Sequence, residues 1–141
     1  MQEALIIVMT WLSLNFGLAP TDIPVKVEIV PKGKIIRIAA GSAGAPVDEG
    51  ILSVYDDRTG TIYLATGWNG NSPRETSILV HELVHHLQNM SAMKFPCPAA
   101  RERTAYEAQN RWLAQYGLDL KSEFGIDAMT LKTMTACFWG T

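Results

Sequence analysis

Two histidines and a glutamate near the middle of the chain have a spacing that suits metal-dependent hydrolysis. His81, Glu82 and His85 form the pattern H-E-x-x-H. In an α-helix, residues four apart are separated by about 40° around the axis, so both imidazoles can lie on one face and bind a single Zn²⁺. Glu82 would then lie beside them, where it can take a proton from an activated water. Because the chain has three histidines, a chance match is the alternative, and the surrounding sequence has to decide.

The residues around the pattern predict the helix that both histidines require. Ser72 is expected to cap its N-terminus, Pro73 to occupy the first helical position, and Glu75 to complete a capping box. The stretch 75–90 contains neither glycine nor proline and is long enough for about four turns. The pattern histidines group with Gln88 on one side of the helical wheel. Apolar side chains occupy the opposite side: Leu79, Leu83, Leu87 and Met90. This separation favours a zinc site over chance.

A third ligand has to come from outside this helix, because a catalytic zinc site commonly has three protein ligands and an open position. His86 is about 100° around the helix from His85, so it is expected to point away. The next helical stretch offers two carboxylates, Glu102 and Glu107. Helical spacing places Glu102 on one stripe with three downstream residues: Tyr106, Gln109 and Leu113. Glu102 is therefore the favoured ligand, and Glu107, which lies off this stripe, is the alternative.

With these residues the chain resembles the gluzincin group of zinc metallopeptidases, and in particular small bacterial peptidase-like domain-of-unknown-function proteins of about this length. In gluzincins the third ligand is the glutamate that opens an E-x-x-A-D or E-x-x-x-D stretch. Glu102 and Ala105 fit E-x-x-A, with Tyr106 in place of the usual Asp. The resemblance spans residues 61–112. It implies a zincin-like fold, Zn²⁺ as the cofactor, and the two pattern histidines with Glu102 as its ligands.

The side chains next to these ligands carry a second set of expectations. The family's Asp at the position of Tyr106 holds the N–H of a ligand imidazole. Tyr106 is expected either to take over that role or to stabilise the oxyanion as a catalytic residue. Gln88 and Gln109 each lie seven residues after a candidate ligand. Hydrogen bonding near the metal is one prediction for these glutamines, and full solvation is the other.

Together these features predict hydrolysis of peptide bonds in a peptide or protein substrate. Zinc lowers the pKa of a bound water to about 7. Glu82 would accept the proton as general base and pass it to the leaving amine. Two alternatives stay open: a zinc-stabilised binding module with a degenerate site, and an amidase that acts on cell-wall peptides.

The composition predicts one globular domain over residues 1–141. The chain is 48% hydrophobic and 18% charged, which is sufficient for a substantial core. The net charge of −2 and the lack of a basic run argue against nucleic acid as a partner. The apolar run over residues 4–18 is too short and too often interrupted by polar residues for a membrane span. We expect a monomer.

The same N-terminal run raises the question of export. A signal peptide is one interpretation, but no basic residue precedes the run and no clean cleavage site follows it. A packed helix that ends at Gly17, with Pro20 shortly after, fits better. On this interpretation a native export signal is absent from this chain.

The two cysteines suggest an oxidising compartment. Cys97 lies between Pro96 and Pro98, a stiff presentation that favours a disulfide with Cys137. Two unrelated buried thiols, or one thiol that serves the zinc, are the alternatives. A disulfide would indicate an exported protein, periplasmic or extracellular.

Strand and helix patterns predict an α+β fold. Val25, Val27 and Ile29 alternate with charged residues and predict a strand; Ile35, Ile36 and Ile38 predict another. Residues 51–55 and 61–66 flank a turn at 56–60 and predict a hairpin. Helices are expected over 98–116 and 127–136. A small antiparallel or mixed sheet would then pack on the histidine helix and the glutamate helix.

The resemblance also implies how a substrate would bind. In zincins the strand nearest the metal helix is a sheet edge that binds an extended peptide through backbone hydrogen bonds. Residues 61–66 are the candidate for that edge, with an ordinary sheet strand as the alternative.

Overall fold

The computed structural model describes residues 1–43 and 52–138. These ranges contain six helices and three strands: α1 (Gln2–Phe16), β1 (Lys26–Val30), α2 (Lys32–Ala43), β2 (Ser53–Asp56), β3 (Thr61–Ala65), α3 (Pro73–Met90), α4 (Pro98–Ala114), α5 (Leu120–Phe124) and α6 (Ala128–Met134). The strands form one sheet in the order β1-β3-β2. β1 is parallel to β3, and β2 is antiparallel to it. The predicted α+β class with a small mixed sheet is confirmed.

The histidine helix α3 begins where the sequence predicts. Ser72 is the N-cap and its hydroxyl accepts a hydrogen bond from the backbone N–H of Glu75 at 3.2 Å, with Pro73 in the first turn. The expected capping box does not close, because the Glu75 carboxylate accepts instead from the backbone N–H groups of Asn69 and Gly70. Glu75 therefore stabilises the loop that leads into the helix.

α3 lies in the centre of the molecule. All residues from Ser77 to Gln88 are buried. Its apolar side packs into a core that includes Leu12, Ile62, Leu64, Leu79, Leu83, Leu87 and Trp112. Its polar side faces α4, where Gln109 binds Ser77 and Arg101 binds Gln88. Since residue numbers rise along α3 as they fall along α4, the two helices are antiparallel.

The hairpin of β2 and β3 forms as predicted, but β3 is the central strand of the sheet rather than an edge strand. Gly60 adopts the left-handed conformation (φ 65°) that closes the turn, and its N–H donates to the Asp56 carbonyl at 2.9 Å. β3 lies between the other two strands, so the prediction that residues 61–66 form the edge nearest the metal helix is wrong. β2 has that position. The backbone of β3 forms hydrogen bonds on both sides, because β2 pairs with one side and the parallel strand β1 pairs with the other.

The strand predicted around Ile35, Ile36 and Ile38 is also wrong, because this segment is helix α2. The carbonyl of Pro31 accepts a hydrogen bond from Lys34 N–H at 2.9 Å and so starts the first turn. Ile35 is buried and Ile38 half-buried, which fits a helical period rather than the alternation of a strand. Topology adds a reason: β1 and β3 are parallel, and parallel neighbours need a crossover connection, which usually includes a helix.

α1 ends at Gly17 as predicted, with that glycine in the left-handed conformation (φ 63°). The expectation of a packed helix holds for one side only. Val8 and Leu12 are fully buried, whereas Ile7 and Leu14 are exposed. None of the helices in the described ranges is long and apolar enough to cross a membrane.

The C-terminal part follows the predicted helices with one addition. α4 ends at Ala114, two residues before the expected end, and α6 is capped by Asp127 as expected, its carboxylate accepting from Thr130 N–H at 2.7 Å. The addition is α5, a short helix capped by Asp119 that no sequence pattern predicted.

The predicted disulfide is present between Cys97 and Cys137, whose Cα atoms are 5.9 Å apart. It joins the residue that precedes α4 to the segment that follows α6. The 40-residue separation means that the bond restricts a large loop in the unfolded chain.

We expect loss of this bond to lower the free energy of unfolding by about 4 kcal/mol, because the crosslink removes loop entropy from the unfolded state. The variant Cys97→Ser/Cys137→Ser and the wild type in reductant should unfold at the same, lower urea concentration. Equal midpoints for the variant and the oxidised wild type would contradict this prediction.

Candidate metal centre

The two pattern histidines lie one turn apart on the buried polar side of α3. Their side chains are about one-tenth exposed or less, and their ring centroids are 5.1 Å apart. Glu102, in the second turn of α4, reaches both rings. One of its carboxylate oxygens lies 3.2 Å from His81 Nε2 and the other lies 2.6 Å from His85 Nε2. The antiparallel packing of α3 and α4 therefore brings together residues 21 and 17 positions apart in the sequence.

These three side chains form a group that could hold a metal ion. One potential ligand atom from each of His81, His85 and Glu102 lies within 4.8 Å of the other two. Two imidazole nitrogens and one carboxylate oxygen are a donor set that zinc accepts, and three protein ligands leave a position for water or substrate. Glu107, the alternative ligand, is exposed on α4, away from this group. The donor chemistry fits the expected cofactor.

Both glutamines proposed as neighbours bind the histidines directly. Gln109 Oε1 lies 3.0 Å from His81 Nδ1, and Gln88 Oε1 lies 2.9 Å from His85 Nδ1. An amide oxygen can only accept, so each Nδ1 carries a hydrogen. Each Nε2 then faces Glu102, to which it donates a hydrogen in the metal-free protein, and its lone pair becomes available to a metal once that proton is lost. Both glutamines are buried, so the prediction of hydrogen bonding is confirmed and full solvation is wrong.

Tyr106 does not have the role that the resemblance implies for an Asp at its position. Its ring packs edge-on against the His81 ring, with centroids 4.5 Å apart and planes at 71°. Because Gln109 accepts from His81 Nδ1, Gln109 has one of the two roles expected of Tyr106. The oxyanion role of Tyr106 stays a prediction.

Glu82 is buried next to His81 in the sequence, and its carboxylate points toward the sheet. Ser53, the first residue of β2, donates its hydroxyl hydrogen to Glu82 Oε2 at 2.5 Å. Sequence reasoning missed Ser53, since no local pattern marks a serine whose contact depends on how β2 packs on α3. The bond orients the carboxylate that is the candidate general base.

His86 points away from the group, as predicted, into a separate buried network. Its Nε2 lies 3.3 Å from the carbonyl of Ile23, so Nε2 carries the hydrogen, and Nδ1 accepts from the Tyr55 hydroxyl at 2.7 Å. Burial lowers the pKa of His86, and this outweighs the opposite effect of its bond to Ile23. A neutral histidine satisfied in this way is structural.

Electrostatics link the carboxylate to the imidazoles. Burial alone would raise the pKa of Glu102, but hydrogen bonds from His81 and His85 hold it well below its usual range. Burial alone would lower the pKa of His81, yet its bond to Glu102 and the negative charge of Glu82 raise it above its ordinary value. The group of His81, His85 and Glu102 therefore favours a bound positive charge, either a proton or a metal ion.

Removal of a ligand should abolish tight zinc binding. We expect Glu102→Ala and His85→Ala to weaken zinc affinity by more than the roughly 10–100-fold that loss of an outer hydrogen-bond partner costs. The matched control is Glu107→Ala on the same helix, which should bind zinc as the wild type does. Competition titrations with a chromogenic chelator measure this, and a normal affinity for Glu102→Ala would contradict the ligand set.

Zinc affinity should fall as the pH is lowered, because a protonated imidazole cannot bind the metal. The pKa of His81 in the metal-free protein is raised, so the fall should begin above pH about 6.5, the ordinary value for histidine. It should approach about tenfold per pH unit for each proton displaced. Zinc titrations at pH 8, 7 and 6 (roughly spanning this range) test this, and a constant affinity would contradict it.

Comparison with known proteins identifies the family without a function. No curated protein and no solved structure matches the chain significantly. One family model matches, over residues 1–137, and its description is "Domain of unknown function (DUF6647)". Since this match covers nearly the whole chain, the protein belongs to that family of domains of unknown function.

Proposed function

We propose that this protein is a zinc-dependent hydrolase of peptide bonds. The observation that carries the proposal is the buried group of His81, His85 and Glu102, with Glu82 held beside it. Three features support zinc chemistry at this group: the donor set, the two Nε2 atoms that face the same carboxylate, and the unfilled position that three protein ligands leave.

A zinc ion at this place would supply Lewis acidity, which makes water more acidic and polarises a carbonyl oxygen. Glu82 supplies the proton transfer. One of its oxygens accepts from Ser53, which leaves the other to take a proton from the attacking water and pass it to the leaving amine. The ring of Tyr106 is next to His81, and its hydroxyl is our candidate to stabilise the oxyanion.

The edge strand β2 is the candidate site for the substrate backbone. The N–H of Ala65 on β3 donates to the Leu52 carbonyl at 3.1 Å. Because backbone groups alternate in direction along a strand, Ser53 and Tyr55 present theirs away from β3. Among the described residues no strand lies beyond β2. An extended peptide that pairs with this edge would pass next to Glu82, since Ser53 contacts that carboxylate.

The disulfide indicates the kind of compartment in which this activity would take place. Structural disulfides persist in oxidising compartments, and Cys97–Cys137 joins the start of the glutamate helix to the C-terminal segment. We infer an exported protein that acts on peptides or proteins outside the cytoplasm.

Replacement of the general base gives the sharpest test of catalysis. Glu82→Gln should bind zinc with wild-type stoichiometry but lose about 10²–10⁴-fold in the rate of peptide hydrolysis, because general base catalysis contributes that much. A fluorogenic peptide library measures the rate and elemental analysis measures the metal. The control is Glu107→Gln, which should retain full activity.

Three outcomes would contradict the proposal or a part of it. Full activity in Glu82→Gln would remove Glu82 as the base. A wild-type protein that binds one zinc ion yet cleaves no peptide would instead favour a zinc-stabilised binding module, and cleavage restricted to cell-wall peptides would favour an amidase.

A further inference from the structure

An ion pair outside the metal group connects three parts of the fold: α4, the β2–β3 turn and α3. Arg101, the residue before Glu102 on α4, binds Asp57 in the β2–β3 turn with both terminal nitrogens, at 2.7 and 2.5 Å. The Asp57 side chain is 47% exposed and that of Arg101 only 24%. A bidentate bond of this kind fixes the plane of the guanidinium as well as its position.

The same guanidinium also contacts α3 next to His85. Arg101 Nε donates to Gln88 Oε1 at 3.2 Å, and one terminal nitrogen donates to the His85 carbonyl at 3.2 Å. The side-chain amide of Gln88 donates in return to the Arg101 carbonyl at 3.1 Å. Arg101 therefore holds both the backbone of His85 and the side chain that binds the His85 ring.

These bonds allow only one orientation of Gln88. Arg101 Nε is a donor that cannot accept, so the amide atom that faces it has to be the oxygen. The other end faces a backbone carbonyl and has to be the nitrogen. The oxygen that Arg101 fixes is the one bound to His85 Nδ1, so His85 Nδ1 is held as the donor and His85 Nε2 is the ring nitrogen left to face Glu102 and a metal.

We propose that the Asp57–Arg101 pair positions His85 through Gln88, so that the metal affinity of the site depends on the β2–β3 turn. The inference rests on the proposed zinc site. Asp57 fixes the guanidinium, the guanidinium fixes the Gln88 amide, and the amide fixes the ring nitrogen that carries the hydrogen. Arg101 and Asp57 are positioning residues, since neither belongs to the group of potential metal ligands.

His81 is oriented by a series of hydrogen bonds that includes no ion pair. The Ser77 hydroxyl donates to the Arg74 carbonyl at 2.7 Å, so its oxygen accepts from Gln109 Nε2 at 3.3 Å. Gln109 Oε1 then has to face His81. The two histidines thus have separate partners at Nδ1, and loss of the ion pair should disturb His85 more than His81.

The test measures metal binding, independently of catalysis. Arg101→Met and Gln88→Met should each weaken zinc affinity by about 10–100-fold, as loss of an outer partner does elsewhere. Because both changes break the same series of hydrogen bonds, the double variant should bind zinc about as weakly as the single variant with the lower affinity. The matched control is Arg103→Met, an exposed residue of the same helix, which should bind zinc normally.

Two further readouts separate positioning from a general loss of structure. The visible spectrum of the Co²⁺-loaded protein should change in Arg101→Met but not in Arg103→Met, because the spectrum reports the ligand arrangement. Asp57→Asn keeps the shape of a half-exposed turn residue, so it should fold, and it should shift affinity and spectrum in the same direction as Arg101→Met.

The possible outcomes are distinct. Wild-type affinity and spectrum in Asp57→Asn and Arg101→Met, or multiplied losses in the double variant, would overturn this inference and leave the zinc site intact. A wild-type protein that binds no zinc would overturn both. Binding as expected without peptide cleavage would overturn only the proposed hydrolysis.

Discussion

The structure depends on the burial of a polar helix face. α3 is enclosed on its apolar side by the core and on its polar side by α4, so the side chains of His81, Glu82, His85 and Gln88 lose contact with water. A buried polar group without a partner costs about 1–3 kcal/mol. Each of these four side chains has a partner within the protein. The need to satisfy this face determines which residues of α4 and β2 lie opposite it.

The partners are arranged so that most of the hydrogen bonds have one possible direction. Backbone carbonyls and a guanidinium, which cannot exchange donor and acceptor roles, end both chains behind the histidines. Each glutamine therefore has one orientation, with its amide oxygen toward the histidine, so the histidine Nδ1 has to carry a hydrogen. The two Nε2 atoms consequently face the one carboxylate that reaches both rings. Because the groups bound to each Nδ1 are neutral amides, Glu102 is the one carboxylate in the candidate group.

The sequence predicts those parts of the site that depend on local periodicity. The spacing of the histidines, the Ser72 cap and the stripe from Glu102 to Gln109 are properties of single helices, and the structure confirms them. The alternation expected for residues 35–38 failed because three isoleucines close together suit both a strand and one side of a helix, and only the parallel crossover decides between them.

Contacts between elements could not be predicted in the same way. Ser53 with Glu82, and Asp57 with Arg101, join residues 29 and 44 positions apart. No pattern within either segment marks them. The error about the edge strand has the same origin, since strand order is a property of the whole sheet. Zinc binding and hydrolysis go further than the fold and stay proposals that rest on the donor set.

The most direct test of the central claim is X-ray absorption spectroscopy of the zinc-loaded protein, together with its metal content. Our account predicts one zinc ion per chain, bound by two imidazole nitrogens and a carboxylate oxygen, with loss of the carboxylate contribution in Glu102→Ala. A protein that retains no zinc, or a zinc ion bound by three imidazoles, would contradict it.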